Sequence, residues 1–360
     1  MLNGSDPAFV AVPAHHDDEF TLALRVGEEI DDDIALVVTT SGTTGAPKGA
    51  LLTAEALTAS ASATYQRLGG QGRWLLAVPP YHIAGLQVLV RSVLAGSAPV
   101  ELDVSAGFDI SQLPSAVNSL GSGRRYTSLV AAQLAKALTD PGAAAALAEL
   151  DAILLGGGPA PRPVLDAAAA AGLTVVRTYG MSETAGGCVY DGVALDGVGL
   201  RILADGRIAL GGVTLAKGYR NPVDPDPFAE PGWFLTDDLG AIDDSGVLSV
   251  LGRVDDAIST GGLTVLPGPV EAALGTHPAV CDCAVFGVTD NRLGQRVVAA
   301  VVVGIGSAAP TLDELRHHVA RTLDITAAPR ELHVIEELPR RGIGKVDRRA
   351  LVRRFAGPVQ

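Results

Sequence analysis

Residues 40–49 read TSGTTGAPKG and directly follow the apolar run at residues 34–38. Glycines let this backbone bend sharply, so its hydroxyl groups and amides can converge on one point, as a polyphosphate requires. Lys48 adds a compact positive charge, and Pro47 restricts that end of the stretch. Gly49 follows Lys48 where a Walker loop has Ser or Thr. The stretch therefore predicts a phosphate-binding loop, although its composition is also that of a Gly/Ser/Thr linker.

The residues around this loop predict an open α/β sheet. From residue 34 to about residue 176, strand-like apolar runs alternate with alanine-rich helical segments. This alternation predicts a mainly parallel sheet with helices on both faces. The loop lies between a strand at residues 34–38 and a helix at residues 53–67, so we expect it at the carboxyl end of a strand, where such sheets bind ligands. Short runs with turns at residues 198–252 predict a β-rich part.

A change of pattern at residues 252–256 predicts where the chain divides. The fold class that we predict is α/β, with a large N-terminal domain, residues 1–254, that holds mainly parallel sheets flanked by helices and a β-rich subdomain. A small, mobile α+β C-terminal domain follows at residues 255–360. A chain of 360 residues is too long for one ordinary core, which also favours two domains.

Composition excludes several classes of partner. The net charge of -13 and the pI near 4.9 argue against general binding to nucleic acid or anionic membranes. Three cysteines, at positions 188, 281 and 283, give neither a zinc spacing nor a disulfide framework, which indicates a reducing cytoplasm. The apolar run at residues 297–305 is too short to span a bilayer, and no signal peptide or integral membrane segment is predicted. The sequence leaves a homodimer open.

The complete string at residues 40–49 resembles the phosphate loop of the acyl-adenylate-forming superfamily, which includes acyl-CoA synthetases, peptide-synthetase adenylation domains and luciferases. Three further motifs follow in that superfamily's order, so the resemblance extends from residue 40 to residue 348. It implies that the loop holds the phosphates of ATP through Thr40, Ser41, Gly42, Thr43, Thr44, Gly45 and Lys48.

The second motif, TYGMSET at residues 178–184, also follows a strand. Tyr179 offers a flat face for a purine, and Glu183 is a hard oxygen ligand of the type that magnesium accepts beside phosphates. Alone, the motif would be ordinary turn chemistry. The resemblance implies that Tyr179 lies on adenine, that Ser182 contacts the α-phosphate beside Thr184, and that Glu183 positions Mg²⁺. LLGGGPAP at residues 154–161 resembles the superfamily's glycine strip, which implies that Gly157, Gly158 and Pro159 lie against the adenine edge. The structural alternative is a helix-entry turn with proline.

The third motif comprises WFLTDDLG at residues 233–240 and LGRVDDAI at residues 251–258. The resemblance implies that Asp238 and Arg253 hold the ribose hydroxyls and that Asp255 is the hinge of the small domain. Asp237 stands where the superfamily usually has glycine, which leaves open which aspartate faces the nucleotide. The structural alternative is a surface hairpin with ion pairs.

The fourth motif, LPRRGIGKVDR at residues 338–348, places Lys345 after two glycines on an exposed loop. The resemblance implies that Lys345 stabilises the charge on the carboxylate that attacks the α-phosphate of ATP. The implied reaction has two steps with ATP and CoA as co-substrates. The carboxylate first forms an acyl-AMP and pyrophosphate, and a thiol then displaces AMP while the small domain rotates about Asp255.

The segment that bears on the choice of acyl substrate is PPYHIAGLQVLVRSVLAG at residues 79–96. His82 is either a core histidine or, by the resemblance, the gate beside the acyl carboxylate. Arg91 lies in an apolar helix, where a charge needs a partner. That partner is either a protein carboxylate or the second carboxylate of a dicarboxylic acid, with Ser128 as a helper donor.

With the string at residues 178–198, this pattern resembles the 2-succinylbenzoate-CoA ligases of menaquinone biosynthesis, particularly their short actinobacterial type. The resemblance implies that Arg91 and Ser128 bind the aromatic carboxylate while the succinyl carboxylate is activated. Most superfamily members have a longer segment before the loop than the 39 residues found here. Another aryl- or fatty-acyl-CoA ligase and a non-catalytic nucleotide-binding sensor are the alternatives. The sensor is disfavoured because Glu183 and Lys345 are both present.

Overall fold

The computed structural model describes residues 2, 7–13, 18–39, 47–304, 306–341 and 344–356, without the side chains of residues 18–20. The phosphate-loop residues Thr40, Ser41, Gly42, Thr43, Thr44 and Gly45 lie outside the described residues. Their predicted contacts with ATP therefore stay predictions.

The described residues form these strands: β1, Phe9–Ala11; β2, Ile34–Val38; β3, Ala50–Thr53; β4, Arg73–Leu76; β5, Val100–Glu101; β6, Arg125–Val130; β7, Ala152–Gly156; β8, Val175–Met181; β9, Gly186–Tyr190; β10, Val193–Ala194; β11, Val198–Ile202; β12, Arg207–Gly212; β13, Trp233–Ile242; β14, Leu248–Arg253; β15, Ile258–Thr260; β16, Leu263–Val265; β17, Val280–Asp290; β18, Gly294–Val303; β19, Glu331–Val334; β20, Arg340–Arg341; β21, Lys345–Val346. The helices are α1, Asp18–Ala23; α2, Ala54–Leu68; α3, Ile83–Leu94; α4, Leu113–Ser119; α5, Ala131–Ala137; α6, Pro141–Ala148; α7, Arg162–Ala170; α8, Pro267–Leu274; α9, Leu312–Val319; α10, Arg348–Phe355.

The chain forms two compact units. The first comprises Met1–Gly156, Ala168–Leu203 and Ile208–Thr236, and the second comprises Gly157–Ala167, Ala204–Arg207 and Asp237–Gln360. The division into residues 1–254 and 255–360 stays a prediction. Across the described ranges, none of the helices has both the length and the hydropathy that crossing a bilayer requires.

A seven-stranded sheet forms the centre of the first unit, in the order β10-β9-β8-β7-β6-β4-β5. The neighbouring strands β5, β4, β6, β7 and β8 are parallel to one another. At the other edge, β9 pairs antiparallel with both β8 and β10. The central strands β6 and β7 are buried over most of their length because both faces of a parallel sheet are covered. The predicted mainly parallel sheet is therefore confirmed.

The sequence pattern predicted a helix directly after the phosphate loop, but the structure has a strand there. β3 comes first and pairs antiparallel with β2, which also pairs parallel with β1, so these strands form a separate three-stranded sheet. α2 begins after β3, and the Thr53 hydroxyl caps it by accepting from the Ala56 amide at 3.0 Å. The sequence of β3, ALLT, shows no alternation of apolar and polar residues, and its strand conformation depends on pairing with β2.

The second unit contains a five-stranded sheet in which β16, β15, β18 and β17 are neighbours and β19 pairs parallel with β18. Alternate residues of β18 enter two different core clusters because successive side chains of a strand point to opposite faces. Residues of α8 and α9 complete one cluster, and Leu351 of α10 belongs to the other. This is the α+β composition that the sequence predicted.

Candidate active site

The backbone that carries Lys48 is held by the segment at residues 217–221. Four backbone hydrogen bonds join this segment to residues 48–51: Lys217 N to Leu51 O at 2.9 Å, Leu51 N to Gly218 O at 3.0 Å, Arg220 N to Gly49 O at 2.7 Å and Asn221 N to Lys48 O at 3.0 Å. The Asn221 amide also donates to Pro47 O at 2.9 Å. At the C-terminal end of the phosphate loop, the carbonyl oxygen of each residue from Pro47 to Gly49 therefore accepts a hydrogen bond from this segment.

Gly49 explains why Lys48 is not followed by Ser or Thr. Its φ is +72°, in the left-handed region, and a Cβ there would lie 2.9 Å from Val37 Cγ1. Glycine is the residue that adopts this conformation without strain and leaves room for the neighbouring strand. The departure from the Walker pattern thus follows from how β3 begins.

Tyr219 brings Lys48 and Glu183 together. The Glu183 side chain is buried, and its Oε1 accepts a hydrogen bond from the Tyr219 hydroxyl at 2.6 Å. Lys48 Nζ lies 5.3 Å from the centroid of the Tyr219 ring, within cation–π range. Sequence reasoning missed Tyr219 because a single tyrosine in KGYR has no motif signal and its partners are distant in the chain.

The turn that carries Ser182 and Glu183 is stabilised from within by Thr184. The Thr184 hydroxyl accepts from the Met181 amide at 3.0 Å and lies 2.8 Å from Gly186 O, to which it donates. Thr184 is buried, so its hydroxyl serves this turn in the structure, and its contact with the nucleotide stays a prediction.

Side chains of helices α2 and α3 donate hydrogen bonds to the end of the same turn. Ala185 adopts a left-handed φ of +50°, which costs free energy for a residue with a Cβ. Its carbonyl oxygen accepts from Ser60 Oγ at 3.0 Å and from Gln87 Nε2 at 2.8 Å. These two buried hydrogen bonds from neighbouring helices stabilise the strained residue next to the proposed magnesium carboxylate.

Tyr179 is half-buried in β8 and lies opposite Val189 of β9. The glycine that follows it is required, because a Cβ at Gly180 would lie 2.2 Å from Gly186 O. Gly157 has a φ of +82°, and a Cβ at Gly158 would meet no atom within 4 Å. Gly157, Gly158 and Pro159 belong to the second unit, and their adenine contacts stay predictions.

His82 caps α3 at its N-terminus by backbone position and is half-buried, with its ring centroid 4.6 Å from that of Tyr81. Arg91 lies in the last turn of the same helix. Nine residues separate them, which is about 14 Å along the helix axis. The structure therefore places these two predicted acyl-site residues at opposite ends of α3. Ser128 is buried on β6, and its substrate contact also stays a prediction.

Arg91 is enclosed by polar and aromatic side chains and is 2 % exposed. Its Nη2 donates to Thr64 Oγ1 at 3.2 Å and lies 3.5 Å from the Tyr190 hydroxyl, and its guanidinium lies 4.8 Å from the Trp74 ring centroid. No ion pair of the described residues includes Arg91, and its buried Nε has no acceptor among them. Burial lowers the pKa of Arg91, which Tyr190 and Tyr65 partly oppose.

Arg253 joins the carboxylates of the third motif within the second unit. Its Nε donates to Asp255 Oδ1 at 2.8 Å, and it lies 3.3 Å from Asp237 Oδ2 and 3.7 Å from Asp238 Oδ1. Burial lowers the pKa of Arg253, but the three carboxylates outweigh it and the pKa is raised. The Asp238 side chain is 16 % exposed and that of Asp237 is 64 % exposed, so Asp238 is the more enclosed of the two carboxylates.

Lys345 begins β21 and pairs with Arg341 of β20. Its side chain is exposed, as the sequence predicted for a residue that must reach a ligand. Arg340 stabilises this small hairpin, since its guanidinium donates to Gly344 O at 2.7 Å and pairs with Asp282. Gly342 and Ile343 lie outside the described residues.

The donor set fits a magnesium ion that is shared with substrate phosphates. Among the residues that the structure describes, no group of three or more His, Cys, Asp or Glu side chains could hold a metal ion alone. Glu183 offers a single carboxylate, oriented by Tyr219. Magnesium in nucleotide sites typically takes one or two protein carboxylates and completes its shell with phosphate oxygens and water.

Comparison with protein families identifies the class of enzyme. A family model described as AMP-binding enzyme matches residues 7–219, and one described as AMP-binding enzyme C-terminal domain matches residues 269–345. The chain therefore belongs to the AMP-binding enzyme family. It has the α/β fold of adenylate-forming enzymes, with the large N-terminal and small C-terminal domains that the sequence predicted.

Several individual members of this family are similar to the chain over most of its length. A probable 2-succinylbenzoate–CoA ligase of Mycobacterium tuberculosis is 80% identical over 359 residues, which are 99% of this chain and 94% of the relative. The solved o-succinylbenzoate CoA synthetase (MenE) of Bacillus subtilis in complex with the acyl-adenylate intermediate OSB-AMP is 32% identical, with a TM-score of 0.74 over 88% of this chain and 69% of that one. The same enzyme with ATP and a magnesium ion is 31% identical, with a TM-score of 0.73 over 91% and 72%.

Proposed function

We propose that this protein is an AMP-forming acid-thiol ligase that converts 2-succinylbenzoate, ATP and CoA to 2-succinylbenzoyl-CoA, AMP and pyrophosphate, as a step of menaquinone biosynthesis. The 80% identity to a probable 2-succinylbenzoate–CoA ligase over nearly the whole chain carries this proposal. The likeness to an enzyme solved with OSB-AMP supports a route through an acyl-adenylate.

The residues of the nucleotide motifs would bind ATP. Lys48 supplies a positive charge at the end of the phosphate loop, and the fixed backbone of residues 47–49 limits how far it moves. Glu183, with Tyr219 on its Oε1, would hold Mg²⁺ against the phosphates, and the ion would neutralise phosphate charge when bound. Tyr179 and Ser182 would contact adenine and the α-phosphate, and Asp238 with Arg253 the ribose hydroxyls.

Lys345 would act electrostatically on the first step, in which a carboxylate oxygen attacks the α-phosphate of ATP and pyrophosphate leaves. In the transition state, negative charge is shared between the attacking carboxylate and the phosphate oxygens. A compact ammonium beside that charge lowers the barrier without taking up a proton. We assign Lys345 no such role in the second step, in which the thiol of CoA attacks the acyl carbonyl. Asp255 is the proposed hinge residue for the change between steps.

Arg91 and Ser128 would bind the carboxylate that does not react, and His82 would lie beside the one that does. The support is a buried guanidinium with no carboxylate partner among the described residues and with an unsatisfied Nε. An unsatisfied buried donor costs about 1–3 kcal/mol, which a substrate carboxylate would recover. Because Arg91 is 2 % exposed, the surrounding side chains must open when the acid binds.

Replacing Arg91 tests this assignment. We expect Arg91→Met, which keeps most of the side-chain volume, to lower kcat/KM for 2-succinylbenzoate by roughly 10²- to 10³-fold, as when one partner of a buried charge pair is lost. Activity toward benzoate, which has no second carboxylate, should change little. Steady-state kinetics with both acids measures the difference. An equal loss on both would show that Arg91 stabilises the core and does not select the substrate.

The reaction itself is tested by pyrophosphate release. The enzyme is incubated with ATP, Mg²⁺ and a panel of 2-succinylbenzoate, benzoate and a fatty acid, each with and without CoA. We expect the fastest release with 2-succinylbenzoate and conversion to a thioester only when CoA is present. A preference for benzoate or the fatty acid would favour another aryl- or fatty-acyl-CoA ligase. Nucleotide binding without release for any acid would favour a sensor.

The compartment that we propose is the cytoplasm, where ATP and CoA are available. The free cysteines fit a reducing compartment. Cys188 is unreactive there, because burial raises the pKa of its thiol to about 12. A homodimer is compatible with the proposed reaction, and light scattering would establish the number of copies.

A further inference from the structure

We propose that Tyr219 is a positioning residue that sets the Glu183 carboxylate and the Lys48 ammonium at a fixed separation for the magnesium complex of ATP. This inference rests on the proposed function, because it takes Glu183 as the magnesium ligand and Lys48 as a phosphate contact. It adds a residue that lies outside all four sequence motifs.

The hydroxyl group of Tyr219 orients the carboxylate. At 2.6 Å, its hydrogen bond to Glu183 Oε1 has the length of a charge-assisted bond. Glu183 is 7 % exposed, so competing hydrogen bonds from bulk water are few. A carboxylate held at one oxygen presents the other in a defined direction, which a metal ion with strict octahedral geometry requires.

The ring of Tyr219 places the lysine. Lys48 Nζ lies 5.3 Å from the ring centroid, where the electron-rich face attracts a cation. The attraction biases a flexible side chain toward the face of Tyr219 and therefore toward the carboxylate on its hydroxyl. One aromatic side chain thus contacts both charged groups that the phosphate and its metal ion need.

The ring itself is held rigidly. Phe228 meets it edge to face with centroids 5.4 Å apart, and Phe234 packs on Phe228 at 4.8 Å. The next residue, Arg220, is buried and donates to the carbonyl oxygens of residues 24, 25, 28 and 29. Since backbone and ring are both anchored, the position of the hydroxyl is set before any ligand binds, as precise positioning requires.

The test separates the hydroxyl from the ring. We expect Tyr219→Phe to raise the Mg²⁺ concentration for half-maximal ATP binding about tenfold, the effect of losing a hydrogen bond to a charged group. ATP binding in EDTA should change less than about twofold, because the ring still faces Lys48. Tyr219→Leu should weaken both. Calorimetric titration of ATP measures these affinities without turnover.

The matched control is Tyr126→Phe. Tyr126 is also buried in the first unit, and its hydroxyl donates to Gly70 O at 3.0 Å. This variant should leave both affinities unchanged. An unchanged Mg²⁺ dependence in Tyr219→Phe, or equal weakening with and without Mg²⁺, would overturn the proposal. Because ATP binding needs no acyl substrate, an incorrect acid assignment would appear only in the pyrophosphate assay.

Discussion

Replacing Lys345 by alanine is expected to slow acyl-adenylate formation by about 10²- to 10³-fold, the usual cost of removing one electrostatic contact to a transition state. Thioester formation from supplied acyl-adenylate should remain largely intact. The reason is that Lys345 is proposed to stabilise charge that develops only while the carboxylate attacks the α-phosphate. Pyrophosphate exchange measures the first step, and CoA-dependent consumption of synthetic acyl-adenylate measures the second.

Two control variants separate this role from general charge. Arg341 is exposed and pairs with Lys345 across the β20–β21 hairpin. Arg341→Ala removes a positive charge from the same hairpin and should change both steps little. Lys345→Arg keeps the charge but replaces a compact ammonium by a planar group, so adenylation should recover only in part. Equal loss of both steps in Lys345→Ala would contradict the assigned role.

The second large effect concerns stability and centres on Arg348 in α10. Its Nη2 lies 2.6 Å and 2.8 Å from the two Glu271 oxygens, and its Nη1 lies 3.2 Å from Asp256 Oδ2. The Glu271 side chain is 14 % exposed and also accepts from the Val285 amide at 2.7 Å. We expect Arg348→Met to reduce the free energy of unfolding by about 3–5 kcal/mol, because it leaves a buried carboxylate without its partner.

Acidification should reduce this loss. Burial raises the pKa of Glu271, while Arg348 and the Val285 amide oppose that rise. Without Arg348, the pKa of Glu271 in the folded protein is higher still. The stability of the Arg348→Met variant is therefore fully present below the unfolded-state pKa of Glu271 and is lost as the pH rises through the folded-state pKa. Urea unfolding of Arg348→Met at several pH values should therefore show the smallest deficit at acidic pH.

The controls for Arg348 lie on the same helix and across the pair. Arg349→Met removes an exposed charge from α10 and should have little effect. Adding Glu271→Leu to Arg348→Met should restore much of the lost stability, because no buried charge remains unpaired. A deficit in Arg348→Met that is independent of pH and not relieved by Glu271→Leu would show that packing, and not the charge pair, stabilises the second unit.

Local patterns predicted most of the helices and strands. The run in β7, AILLG, is recognisable because a strand that is buried on both faces is apolar. The pattern failed at β3, where four residues after the phosphate loop form a strand. Such a short run acquires its conformation from hydrogen bonds to β2, and the sequence does not record that pairing.

The sequence by itself determined the α/β class and the order of the nucleotide motifs, and it predicted Lys48, Glu183 and Lys345 as functional residues, since each motif is a run of residues close together in the chain. Only the tertiary structure revealed the Tyr219 contacts to Glu183 and Lys48, the enclosure of Arg91 by Thr64, Trp74 and Tyr190, and the three carboxylates around Arg253. The physical reason is that hydrogen bonds and ring contacts depend on distance in space. Glu183 and Tyr219 are 36 positions apart in the chain, and no periodic pattern in the sequence records their 2.6 Å contact.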